Sequence, residues 1–162
     1  MTIDQRMFRD ALGFFATGIA VVTTTDGTGA PIGLTVNSFT SVSLDPPLVL
    51  FCIDRGTQCL EAFAQTGRFA VNILEEGQRA ISARFASPVA DRFDRVEYTP
   101  GLGGCPLLAG CLSTLECELR AVHDGGDHVI LVGEVVRLAH AGGGRPLLYF
   151  RGAYAELGPA TA

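Results

Sequence analysis

Nine consecutive residues, Thr35-Val36-Asn37-Ser38-Phe39-Thr40-Ser41-Val42-Ser43, carry six uncharged hydrogen-bonding side chains. Hydroxyls and an amide can meet a ligand's carbonyls and ring nitrogens without burying a charge. A half-buried strand alternates apolar and polar residues, whereas here Thr35, Asn37, Ser41 and Ser43 share one parity and Ser38 and Thr40 the other. Neither face is cleanly apolar, so the stretch reads as a donor-and-acceptor wall for a flat polar ligand; a Ser/Thr-rich surface strand has the same composition. Cys105, Cys111, Cys117 and His123 recur at intervals of six. Six residues of extended chain span roughly 20 Å, which keeps neighbours in that series from sharing one ion, so no metal site is expected. There is no GxSxG elbow and no HExxH pair, which removes the usual footing for a serine hydrolase or a metalloprotease. No GxGxxG follows a strand and no GxxxxGK[ST] occurs, so any nucleotide is held by something other than a glycine-loop cradle.

The elements that must position these side chains are legible from periodicity. Met7, Phe8, Ala11, Leu12, Phe14 and Phe15 follow helical spacing and predict an amphipathic helix over Asp4–Ala16, with Asp4 as N-cap. Ile19–Thr25 is β-branched, and Asp26-Gly27-Thr28-Gly29 offers a turn into a strand over Ile32–Leu44. Asp45-Pro46-Pro47 separates that strand from Leu48–Ile53. Short helices are expected at Thr57–Gln65, capped by Thr57, and at Gln78–Phe85, with a strand at Phe69–Leu74 between them. Ala86–Gly110 reads as loop. Cys111–His123 and His128–Ala139 form a hairpin across Asp124-Gly125-Gly126-Asp127, and Leu147–Arg151 is a last strand. Strands joined as hairpins predict a mainly β protein with a closed or sandwiched antiparallel sheet and a few flanking helices, in one domain over 1–162.

The chain is 48% hydrophobic and 18% charged, a balance that predicts a subunit interface as well as a core. A net charge of −5 without a basic cluster argues against nucleic acid. All twelve basic residues are Arg, which leaves Arg as the strong cationic ligand for phosphate. The charged stretch Met1–Asp10 lacks a secretory apolar core and no apolar run is long enough to span a membrane, so a cytoplasmic location is expected. Five Cys residues without a CxxC pair predict no disulfide framework.

Four features in order carry a resemblance: Phe8-Arg9-Asp10-Ala11-Leu12-Gly13-Phe14-Phe15-Ala16-Thr17-Gly18 leading into Val21-Val22-Thr23-Thr24, then Thr35–Pro47, then Phe69-Ala70-Val71-Asn72-Ile73-Leu74, then Gly126-Asp127-His128. From about Met7 to Tyr154 the chain resembles the flavin reductase-like family, the small reductase components of two-component flavin-dependent monooxygenases. The resemblance implies a homodimeric split β-barrel of Greek-key type that binds FMN or FAD, takes hydride from NADH or NADPH, and passes reduced flavin to a partner monooxygenase. It places Thr35, Asn37, Ser38, Ser41, Val42 and Ser43 along the isoalloxazine and ribityl chain. For the flavin phosphate it offers the segment from Cys52 and Ile53 to Thr57 and the pair Arg84-Phe85, with Ser82 nearby and Arg84 preferred as anchor. Read without the resemblance, Arg84 is a solvated helix residue. The same family reading makes His128 the group that meets the nicotinamide nucleotide, oriented by Asp127; otherwise both simply finish a hairpin. Phe150 could stack on a ring or belong to an interface. A flavin-binding electron-transfer or storage protein without nicotinamide turnover is the alternative function.

Overall fold

The computed structural model describes residues 3–158, so the outermost residues of the single domain expected over 1–162 lie outside it. The first helix, α1 (Gln5–Leu12), begins where expected: Asp4 is extended and its carboxylate accepts from the Met7 amide at 2.9 Å. It ends four residues earlier than the apolar spacing suggests. Gly13 caps it, and Phe14 and Phe15 sit in turns closed onto Ala11 and Leu12. No residue of α1 is buried; Met7, Phe8 and Leu12 are exposed, as are Phe14 and Phe15 just beyond it.

Among the described residues twelve strands follow, interrupted by two further α-helices. The first five are β1 (Thr17–Gly18), β2 (Ala20–Thr25), β3 (Pro31–Val36), β4 (Thr40–Leu44) and β5 (Pro47–Asp54). After α2 (Leu60–Thr66), β6 (Arg68–Ile73) and α3 (Arg79–Ala86) come β7 (Tyr98–Pro100), β8 (Pro106–Leu108), β9 (Ser113–Gly125), β10 (His128–His140), β11 (Leu148–Phe150) and β12 (Ala153–Ala155). Seven strands make one antiparallel sheet in the order β3-β2-β6-β9-β10-β5-β4. The remaining strands form a three-stranded sheet, β1-β11-β12, and the β7–β8 hairpin.

Four expectations are corrected by the structure. The strand expected over Ile32–Leu44 is two strands, because β3 pairs with β2 and β4 with β5 at opposite edges of the large sheet. Asn37-Ser38-Phe39 makes the crossing. The Ser38 hydroxyl accepts from the Cys52 amide at 2.9 Å and lies 3.3 Å from the Cys52 carbonyl, which holds the end of β3, one edge of the curled sheet, against β5, the strand beside the other edge. The second helix starts at Leu60 rather than Thr57: the Thr57 carbonyl accepts from Leu60 in a turn, and no side chain caps the helix. Within 86–110, read as loop, β7 and β8 pair because buried Asn72 accepts from the Leu108 amide at 2.8 Å and its amide group lies 3.4 Å from the Pro106 carbonyl. The last hairpin, β11–β12, extends past the strand expected at Leu147–Arg151.

The core lies inside the curl. Phe51, Phe63 and Phe69 meet edge to face at 5.7 and 5.0 Å, among Val22, Val71, Cys117 and Leu131. Gly133 is required there: a Cβ on it would stand 2.3 Å from the Phe69 ring. A second cluster, with Ile19, Val21, Leu74, Phe85, Leu108 and Leu147, lies on the other face of the sheet under α3. The Cys117 and Cys111 thiols stay protonated, since desolvation pushes buried Cys117 up to about 12 and half-buried Cys111 to about 11. Among the described residues there is no disulfide, no cluster able to hold a metal and no helix long and apolar enough to cross a membrane.

Candidate functional site

Three cavities meet at Asn37, the first residue past β3. One, of about 340 Å³, is lined by Thr35, Asn37, Ser38, Cys52, Asp54, Thr57, Phe85, Arg92 and His128 among others. The second, of about 550 Å³, shares Thr35 and Asn37 and reaches Arg79, Ser82, Tyr149 and Tyr154. The third, of about 640 Å³, runs from Asn37 along α1 to Arg9, Phe14 and Arg151. Cavities of a few hundred cubic ångströms with convergent polar groups suit small-molecule sites.

The hydroxyl wall is partly a set of stitches. Thr35 Oγ1 donates to the Ser82 carbonyl at 2.7 Å, tying β3 to α3, and Ser38 is spent on the Cys52 backbone. Asn37 differs: it is exposed, and among the described residues its side-chain amide has no hydrogen-bond partner although it borders all three cavities. Ser82 is buried, and its hydroxyl lies 3.0 Å from the Tyr154 hydroxyl.

Charges sort the rest. Arg55, Arg84, Arg95, Arg120, Arg137 and Arg145 each lie within 4.0 Å of a carboxylate. Arg92 does not, among the described residues, yet it is partly buried. Its Nη1 donates to the Gly33 carbonyl at 2.9 Å and its Nε to the Ser87 carbonyl at 3.1 Å, so the guanidinium is aimed by the backbone and lines the smallest cavity with no anion against it. A half-buried cation without a counter-charge is costly, and an anionic ligand removes that cost. Asp54, on the same wall, turns its carboxylate onto the Gly56 amide at 2.6 Å. Arg79 stacks over the Tyr154 ring at 4.8 Å in the second cavity.

Of the residues marked from sequence, Thr35, Asn37, Ser38, Cys52, Thr57, Phe85 and His128 share the smallest cavity, and Ser82 lies in the adjoining one. The Phe85 and Ile53 side chains belong to the two cores, so only their backbones are free to face a ligand. Ser41, Val42 and Ser43 stand apart, on the edge strand β4, where the register shifts between Ser41 and Ser43 and Val42 is exposed. Arg84 lines none of the three cavities; it donates to the Asp91 carbonyl at 3.2 Å with Asp94 beside it. Phe150 lies next to the cavity residue Tyr149 but lines none of the three cavities. Arg92 was not legible: nothing local distinguishes it from the other arginines, and the loop carrying it had no predicted structure.

The family model described as flavin reductase like domain matches residues 12–158. The chain belongs to this family. It is 43% identical to the reductase subunit of a flavin-dependent monooxygenase from Rhodococcus jostii, covering 97% of this chain and 80% of that protein. A flavin reductase of Rhizobium meliloti is 46% identical over 93% of this chain, which spans about half of that relative's length (48%). A solved NADH:FAD oxidoreductase of Streptomyces globisporus, in complex with NAD and FAD fragments, superposes with a TM-score of 0.93 at 36% identity, covering 100% of this chain and 99% of that one. This flavin reductase-like chain thus shares the fold of that enzyme along its full length.

Proposed function

We propose that the chain is an NAD(P)H:flavin oxidoreductase that takes FMN or FAD at the cavities around Asn37 and supplies reduced flavin to a partner monooxygenase. The observation that carries the reading is Arg92, a partly buried guanidinium without a carboxylate partner among the described residues, in the same cavity as the His128 rim and the Thr35–Ser38 wall. The cavity fits a phosphorylated flavin: Arg92 and the Thr57 hydroxyl offer charge-assisted bonds to a phosphate, and Asn37, with both donor and acceptor free, faces a ring edge. In this assignment Arg92 takes the anchoring role that the resemblance offered to Arg84. A bound flavin supplies an acceptor for hydride; the protein's own residues supply proximity and a fixed hydrogen-bonding frame. His128 opens β10 at the cavity rim and positions the nicotinamide nucleotide; it need not move a proton. The relative solved with NAD and FAD fragments and the monooxygenase reductase subunit support this assignment.

The finer architecture follows the same reading. The approach of the sheet edges at Ser38 and Cys52 supports a split barrel of Greek-key type, and the exposed apolar row of Met7, Phe8, Leu12, Phe14 and Phe15 supports a homodimer that covers it. The β4 residues Ser41, Val42 and Ser43 then complete the flavin site from the sheet edge, and the protein works in the cytoplasm. Anaerobic mixing of the protein with FMN or FAD and then NADH or NADPH tests the function. Loss of the oxidised-flavin absorbance is expected with at least one pair. Flavin binding without such loss for any pair leaves the electron-transfer or storage reading in its place.

A further inference from the structure

We propose that Arg55 is a positioning residue, fixing the His128 imidazole at the cavity rim by clamping the β9–β10 turn. The turn is Gly126-Asp127, with Gly126 at a φ of 78° and Gly125 before it, a tip with little conformational restraint of its own. Arg55, one residue past β5, closes on it three ways. Its Nε donates to the Gly126 carbonyl at 2.8 Å, its Nη2 to Asp124 Oδ1 at 2.6 Å, and its backbone N–H to the Asp127 carbonyl at 2.9 Å. The Asp124 carboxylate also accepts from the Gly126 amide at 3.0 Å, so the same carboxylate ties the clamp to the turn. His128 follows directly, opposite Asp54 in the β5–β10 register, with its Nδ1 2.7 Å from Asp127 Oδ1. That bond leaves Nε2 as the ring nitrogen without a partner among the described residues. The direction of the imidazole therefore depends on the Asp127 carboxylate, and the place of Asp127 on a turn that the Arg55 side chain ties down through Gly126 and Asp124.

An exposed ion pair contributes little by itself, and Arg55 and Asp124 are 49% and 81% exposed, so stability is a poor reason for three bonds from one side chain and its amide to a single turn. Holding a ligand-facing group within its productive geometry is a better one.

The inference rests on the proposed meeting of His128 with the nicotinamide nucleotide, and a double-mutant cycle separates the two. Wild type, Arg55→Ala, His128→Ala and the double variant are compared for NADH KM, kcat and flavin Kd. Arg55→Ala is expected to raise the KM about three- to fivefold with flavin Kd unchanged, and to have no further effect once His128 is Ala. Arg55→Lys, which keeps charge but loses the fork, should recover only part of the loss. An Arg55→Ala effect of equal size in the His128→Ala background overturns the inference, because Arg55 then acts on the ligand or the fold directly. So does an unchanged KM in Arg55→Ala while His128→Ala raises it. If His128→Ala itself leaves the KM unchanged, the role given to His128 fails, and the clamp with it. Should Arg55→Ala fold poorly, the same cycle run with Asp124→Ala removes the Nη2 contact and the Gly126 amide contact and leaves the Nε bond in place.

Discussion

Two asparagines, Asn72 and Asn37, show how this molecule divides its polar groups. Asn72, on β6, is fully buried and fully used: its Nδ2 lies 3.0 Å from the Val21 carbonyl and 3.2 Å from Thr23 Oγ1, and its Oδ1 accepts from Leu108. Thr23 completes the cluster by donating to the Pro106 carbonyl at 2.6 Å. Asn37 stands exposed at the junction of three cavities with no such partner among the described residues. Both belong to the segments that carry the family resemblance, so the residue type does not separate them. Hydrogen-bond accounting does: a polar side chain whose bonds all close inside the protein supports the fold, and one whose bonds stay open beside a cavity is available to a ligand.

Four substitutions and one titration test the contrast. The largest effect is expected at the closed cluster. Asn72→Leu strands the Leu108 amide and the Val21 carbonyl region in the interior and should cost about 2–4 kcal/mol of stability, read by urea unfolding. The same experiment on Asn37→Ala should show no loss beyond about 0.5 kcal/mol, so equal destabilisation of the two variants would break the comparison. Next comes Arg92→Gln. It should erase the preference for FMN over riboflavin, worth about tenfold in Kd through a charge-assisted phosphate bond, while riboflavin affinity stays put. A parallel fall in both affinities would assign Arg92 to the fold alone. His128→Ala follows, with the NADH KM rising about tenfold and flavin affinity nearly unchanged in steady-state and equilibrium titrations.

The smallest effect is that of acid on the rim. The hydrogen bond from His128 and then its charge hold the Asp127 carboxyl below the usual carboxylate range, and the Arg55 hydrogen bond, then the Gly126 amide, do the same for Asp124. For a depressed carboxyl the stabilising contact is fully present above the unfolded value, about 3.9, and is lost as the pH falls through the lower folded value. Carboxyl carbon NMR shifts of Asp124 and Asp127 should therefore show the protonation step of the carboxyls themselves only below about 4. Titration of either carboxyl near pH 5 would remove the ion pairs from the account of the rim.

Much of the strand sequence was readable because period-two alternation survives in long pairings. The β9–β10 hairpin emerged from Leu115, Cys117, Leu119 and Ala121 alternating with polar residues, and the tip was set by its glycines. The Asp4 cap needed only a carboxylate three residues before an amide. Thr35–Ser43 was harder, since a polar run on both parities conceals a crossing from one sheet edge to the other. Local sequence does not record which strand pairs with which. The β7–β8 hairpin was missed for a related reason: what holds it is Asn72, distant in sequence.

From the residues alone came the helix cap, the hairpins, the uncharged wall, the rim position of His128 and the family, because each depends on neighbours along the chain or on motif order. Tertiary structure alone decided that the wall's Thr35 and Ser38 are committed to the backbone and that Arg84 is engaged by Asp91 and Asp94. It also decided that Arg92 lines the cavity with no carboxylate within 4.0 Å among the described residues and that Arg55 reaches the turn before His128. Each of those outcomes depends on which partners arrive from remote segments, and a hydrogen bond or an ion pair is satisfied in space, whatever the separation in sequence.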